Sequence, residues 1–125
     1  METTFLVDLL NGAPAAIARA EELEAAGEVK CVAGPAAAEV LVGAYFIGGL
    51  YLARGKELLD SLILLALDMD ACHEAGQIGA DLLSRGESFG AADLLIAAVS
   101  KRHNQRILTR DRSYSKVRGL TVETY

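Results

Sequence analysis

Tryptophan is absent from these 125 residues, and cysteine, histidine and proline occur only twice each. Cys31 and Cys72 stand far apart and outside any Cys-x-x-Cys pattern, which argues against a disulfide framework or zinc cluster and leaves them as small core hydrophobes. His73 and His103 lack zinc spacing, and neither belongs to a convincing nucleophilic triad. The apolar run Leu62 to Leu67 is far shorter than the ~20 residues of a membrane helix, and no basic start with an apolar stretch opens the chain. These absences point to the cytoplasm.

What is present is a hydrophobic content of 52% against 23% charged residues, enough for a self-supporting core over residues 1–125 as a single domain. The net charge is −5, unevenly spread: residues 1 to 100 hold 5 basic and 15 acidic side chains, and residues 101 to 125 hold 7 and 2. Lys101, Arg102, Arg106, Arg110, Arg112, Lys116 and Arg118 therefore form either a phosphate-facing patch or a solvated face with a cation-favouring helix end.

Periodicity and punctuation give an alternating order. A short helix spans Thr4 to Leu10, and Pro14 opens a second helix that Gly27 closes. Val29 to Val32 reads as a strand. Helices follow from Ala36 to Ile47 and from Leu50 to Leu59, broken by Gly48 and Gly49. Leu62 to Leu67 fits either a fully buried strand or continued helix. Met69 to Ser84 and Ala91 to His103 read as helices, Arg106 to Thr109 as a strand, and Leu120 to Glu123 as a last, edge strand. Short strands between helices predict a mostly parallel sheet with helices on both faces.

Two carboxylates lie on apolar helical stripes. Glu39 shares its face with Pro35, Ala36, Val42, Gly43 and Phe46, and Asp93 with Phe89, Gly90, Ile96, Ala97 and Ser100. An unpaired buried carboxylate is costly unless protonated or bound to metal, so both are expected to share a reason. Asp111 follows a strand at its carboxyl end, where open α/β sheets place ligands. Glu2 precedes the first helix, where capping and metal binding compete as explanations. Asp8 reads as a structural or supporting acid. Gathered together, Glu2, Glu39, Asp93 and Asp111 are hard oxygen donors suited to Mg²⁺ or Mn²⁺ and to phosphodiester hydrolysis without a side-chain nucleophile.

Three stretches carry a resemblance to a known family: Glu2-Thr3-Thr4-Phe5-Leu6-Val7-Asp8-Leu9-Leu10, Ala38-Glu39-Val40-Leu41-Val42-Gly43-Ala44, and the pair Ala92-Asp93-Leu94-Leu95-Ile96-Ala97-Ala98 with Leu108-Thr109-Arg110-Asp111-Arg112. In order and spacing the chain resembles the PIN-domain nucleases, in particular the VapC-like toxin ribonucleases of toxin–antitoxin pairs. The resemblance implies a three-layer α/β fold and a metal-dependent endoribonuclease with ligands at Glu2, Glu39, Asp93 and Asp111, supported by Thr4 and Thr109. The family's first acid is usually Asp; Glu2 is one methylene longer, which shifts a metal or lowers activity. The family also carries a central strand before that acid, and Met1 stands where one of its apolar residues would sit. The strand is thus expected to be missing, through truncation or a misassigned start, unless another segment fills the gap.

The resemblance further implies an RNA substrate, a homodimer, and an antitoxin whose helical segment lies in a groove and sends a cation toward the acids. Tyr45, Phe46 and Tyr51 are groove candidates, although Phe46 is expected mainly in the core. A competing reading is a non-enzymatic module that docks a basic peptide in the acidic pocket. A phosphoacceptor signalling domain wants adjacent acids after its first strand and a Lys after its last, and the sequence has neither.

Overall fold

Glycine and proline set the boundaries of most helices in the computed structural model, which describes residues 1–125. Helix α1 covers Thr3–Leu10 and α2 Pro14–Ala25, the latter opened by Pro14, whose missing N–H costs nothing in a first turn. Strand β1 is Cys31–Ala33 and runs directly into α3, Gly34–Ile47. Gly48 and Gly49 then adopt φ of 75° and 57°, a consecutive left-handed pair that side chains resist, and α4 starts at once as Gly49–Asp60. The two helices pack closely where a Cβ on Gly55 would come 3.3 Å from that of Ala44.

Leu62 to Leu67 resolves as a strand, β2, over Ile63–Leu65. It is not fully buried: Ile63 and Leu64 are exposed, because β2 pairs only with β1 and lies at an edge. Helix α5, Met69–Ser84, is capped by Asp68, whose Oδ1 accepts from the Ala71 N–H at 2.8 Å. Helix α6 is Ala91–Arg102, β3 Ile107–Leu108 and β4 Val122–Glu123. Between the last two lies a 3₁₀ turn, Arg112–Lys116, that the sequence pattern does not predict.

The strands form two parallel pairs, β1 with β2 and β3 with β4, the latter at the expected edge position. Met1 and Glu2 lie between the pairs: the Met1 ammonium donates to the Cys31 carbonyl at 2.7 Å, and the Glu2 N–H to the Leu108 carbonyl at 3.3 Å. Consecutive residues thus bond to opposite sides, as a strand does. These two residues connect the two strand pairs at one end of the space between β1 and β3.

Side chains alternate across β3. Ile107 joins the main core of Val32, Val40, Ile78, Leu82, Ile96 and Val99, whereas Leu108 joins a smaller core of Phe5, Ala16 and Leu23. Helices therefore cover both faces, giving the expected three layers of a PIN-like α/β fold. Cys72 is exposed and Cys31 only half-buried, so neither is the core hydrophobe expected from its type. No helix is long and apolar enough to cross a membrane.

Candidate active site

The fold brings the carboxyl ends of β1 and β3 beside the N-termini of α1 and α6, and three of the four expected acids gather there. Glu2 is 3% exposed and is the N-cap of α1. Its Oε2 accepts from the Thr4 N–H at 2.9 Å, the Thr4 hydroxyl at 2.5 Å and the Thr109 hydroxyl at 2.8 Å. Capping and site membership, which competed in the sequence, therefore coexist in one side chain. The Thr4 and Thr109 oxygens also lie 3.1 Å apart, but each hydroxyl has a single proton. With both protons directed at Glu2, that third contact carries none.

Thr109, wholly buried, also accepts the Asp111 N–H at 3.0 Å. Asp111 in turn caps the 3₁₀ turn through Oδ1, which accepts the Ser113 N–H at 2.9 Å. That turn delivers Tyr114, a residue the sequence analysis does not single out. The Tyr114 hydroxyl donates to Asp93 Oδ1 at 3.0 Å and stands 3.5 Å from Glu2 Oε1. Burial first, and then the neighbouring Glu2 and Asp93 charges, hold its pKa above the ordinary phenol value, so it remains a proton donor. Its ring packs edge-on to Phe89 with centroids 5.5 Å apart. The only signal for this residue in the sequence is an aromatic placed three positions after a capping Asp, one turn of 3₁₀ helix.

Asp93 lies half-buried in the first turn of α6, as expected, and a Cβ on Gly90 would come within 3.4 Å of its Oδ2. Glu39 is different. It is exposed on the rim, tied to the cluster only through the Thr3 hydroxyl, which donates to its Oε1 at 2.8 Å. The buried stripe inferred around it is solvent-facing: Val42 is 72% and Phe46 91% exposed. Of that stripe only Ala36 is buried; helix α3 is apolar nearly all round and turns Ala37, Val40 and Ala44 inward with it, so apolar neighbours did not mark its inner face. Phe46 is likewise not in the core.

Asp8 is structural, accepting from the Arg110 guanidinium at 2.8 Å and from the Tyr125 hydroxyl. The C-terminal cations do not form a free patch. Arg106 pairs with Glu28 and Glu123, Arg110 with Asp8, Lys101 with Glu74, Arg102 with Asp68 and Asp70, Lys116 with Glu87, and Arg118 with Asp81. Arg112, next to Asp111, is the member of the set without an acidic partner.

A hard divalent cation suits these donors in kind, since all are carboxylate or hydroxyl oxygens. One buried oxygen is available for it: Glu2 Oε1 has only the weak 3.5 Å contact with Tyr114, whose one proton is aimed at Asp93. The acids stand in a row linked by hydroxyls, however, and no three of them close around a common point.

A buried and a half-buried acid at two helix starts, beside the ends of parallel strands, define an α/β protein with a polar site at its switch between strands and helices. The PIN-domain model matches residues 1–120, and the chain belongs to the PIN-domain family, whose members are typically nucleases. Among solved structures, it resembles a chain of VapBC2 from Rickettsia felis bound to a DNA fragment from their promoter, at 20% identity and a TM-score of 0.89, covering 99% of this chain and 96% of that one. DNA-bound VapBC from Salmonella typhimurium gives 23% identity and a TM-score of 0.85, covering 98% and 94%. FitAcB from Neisseria gonorrhoeae gives 22% and 0.80, covering 97% and 93%. No curated protein matches the sequence.

Proposed function

We propose that the chain is a metal-dependent endoribonuclease, the toxin of a type II toxin–antitoxin pair, acting at the face built by Glu2, Asp93 and Asp111 with Glu39 on its rim. The observation that carries this reading is the pair of carboxylates, Glu2 and Asp93, set against one buried phenol in a PIN-domain chain. Mg²⁺ or Mn²⁺ held by Glu2 Oε1 and Asp93 would supply polarisation of a phosphodiester and a more acidic water.

The chain's own residues do the positioning. Thr4 and Thr109 fix Glu2 by donating to Oε2, which leaves Oε1 turned toward Asp93. Tyr114 occupies Oδ1 of Asp93, and the Ser113 N–H holds Oδ1 of Asp111, so that the other oxygen of each remains available. Unpaired Arg112 meets a phosphate at the entrance. The exposed Val42, Tyr45, Phe46, Ile47 and Leu50 of α3 and α4 form an apolar surface fitted to an antitoxin helix and to a second copy of the chain. The VapBC and FitAcB chains that it resembles come from two-component assemblies, which supports the antitoxin reading.

Cleavage of a labelled single-stranded RNA panel with Mg²⁺ or Mn²⁺, against EDTA, tests the activity. Metal-dependent cutting that disappears in Asp93→Asn is the expected result. A correctly folded chain that neither cuts RNA nor binds either metal would shift the reading to a PIN-fold docking module.

A further inference from the structure

The cations of the C-terminal segment are held in two different ways. Arg106 and Arg110 meet Glu28, Glu123 and Asp8 at 2.7–2.8 Å, and each of these contacts is a hydrogen bond. Lys101, Lys116 and Arg118 stand 3.5–3.6 Å from Glu74, Glu87 and Asp81, beyond the roughly 2.7–3.2 Å of an N–H···O hydrogen bond. None of these three pairs is hydrogen-bonded. Long surface pairs of this kind hold their partners weakly, so the three cations can change acceptor at little cost.

The loose pairs are not scattered. Arg112 opens the 3₁₀ turn beside Asp111 without an acidic partner of its own, and Lys116 closes that turn. The Lys116 carbonyl accepts from the Arg85 guanidinium at 2.7 Å, and Arg85 also bonds Asp81, the acid that Arg118 approaches. Lys101 completes the row. It lines one hollow with Arg118, Asp81 and Gln77, and a Cβ on Gly119 would come 3.3 Å from its Cε. Arg112, Lys116, Arg85, Arg118 and Lys101 thus follow one another along the α5–α6 side, five cations against the three carboxylates of Glu87, Asp81 and Glu74. This local positive excess stands on a chain whose net charge is −5.

The row has a length as well as a sign. Asp93 lies in the first turn of α6 and Lys101 in its last turn. The two are about 12 Å apart along the helix axis, the rise of three or four stacked nucleotides at about 3.4 Å each.

We propose that this row is a track for the backbone of single-stranded RNA beyond the acids, with Arg112 nearest them and Lys116, Arg118 and Lys101 taking successive phosphates in exchange for Glu87, Asp81 and Glu74. The assignment rests on the RNA reading of the site. Each cation trades a carboxylate for a phosphate, so it is paired in both states. Arg85 keeps its bonds to Asp81 and to the Lys116 carbonyl and braces the row. Contacts to phosphate fix the register of the strand and carry no sequence preference.

Binding of a fluorescein-labelled oligouridine of about twelve nucleotides is followed by anisotropy in EDTA, where nothing is cut, between about 25 and 200 mM salt. Each of Lys101→Gln, Lys116→Gln and Arg118→Gln is expected to lower the slope of log affinity against log salt by about 0.7, and the triple variant by about 2. Arg106→Gln should leave the slope unchanged. Glu74→Gln and Glu87→Gln remove competing acids and should tighten binding severalfold. Absence of saturable binding, a triple variant with the wild-type slope, or an Arg106→Gln slope reduced as much as the others overturns the proposal and leaves the row a solvated face. Cleavage is read separately in Mn²⁺. Cutting by wild type with an unchanged slope in the triple variant sinks the track alone, whereas a slope that falls as expected without any cutting sinks the nuclease reading and keeps the track.

Discussion

The Tyr114 hydroxyl donates to Asp93 Oδ1 at 3.0 Å, and through that contact a turn following the last core strand controls an acid at the start of α6. Tyr114→Phe keeps the ring against Phe89 and removes only the donor. A hydrogen bond to a charged acceptor is worth about 1.5–3 kcal/mol, and here it competes with any cation for the same oxygen. Apparent Mg²⁺ affinity, measured by calorimetry, should therefore rise several-fold in this variant. A fall would mean that the phenol holds Asp93 in its ligating position.

Thr109 links three parts of the site, as donor to Glu2, acceptor from the Asp111 N–H and a wholly buried neighbour of Thr4. Thr109→Val keeps the shape and strands two polar groups, at an expected cost of about 1–3 kcal/mol in urea unfolding. Thr109→Ser should recover most of it. A loss in Thr109→Ser with none in Thr109→Val would trace the effect to the methyl rather than to the hydroxyl.

Asp8 and Tyr125 give a dependence on pH at both extremes. The Tyr125 hydroxyl first, and Arg110 second, hold the Asp8 carboxyl below its ordinary 3.8. That contribution to stability is fully present above 3.8 and is lost as pH falls through the lower folded value. Burial first, and then the bond to Asp8, push Tyr125 from 10.0 up to about 12, so its contribution is present below 10.0 and lost as pH rises through about 12. The difference in Tm between wild type and Tyr125→Phe should be flat between the two ordinary values and shrink beyond each. A difference unchanged by pH would show that the edge-on packing of Tyr125 against Phe5, 4.9 Å between centroids, is what matters.

Phe46 tests the apolar surface apart from the core. Because the side chain is 91% exposed, Phe46→Ser should alter unfolding free energy by no more than about 0.5 kcal/mol. Light scattering should show a smaller mass than wild type at the same concentration. An unchanged mass would remove this surface from the self-association interface.

Helices were the legible part of the chain. The stretch Met69 to Ser84 matches α5 at both ends because sixteen residues give several periods of a strong pattern and Asp68 supplies a cap. Strands of two or three residues cannot establish a period, so β1 and β3 were located but not bounded. Asp93 was readable as an acid without a cation because α6 is buried over five consecutive residues, Ile96 to Ser100, and an acid at its start stands out against that apolar surround. Glu39 was misplaced because its helix, apolar on both faces, gives no such contrast. Tyr114 depends on a turn tied to Asp111, Thr109 and thence Glu2, a chain of contacts spanning 112 positions that no local window contains.

The residue that anchors the site is synthesised well before the residues that hold it. Glu2 receives its backbone bond from Leu108 and its side-chain donor from Thr109. At ribosomal rates of about 5–20 residues per second, the interval between making Glu2 and making Tyr114 is on the order of ten seconds. Throughout that time the nascent chain carries its first acid without the strand that positions it. The face that carries Glu2 and Asp93 therefore assembles only once Tyr114 has been made, so the nascent chain lacks it through that whole interval.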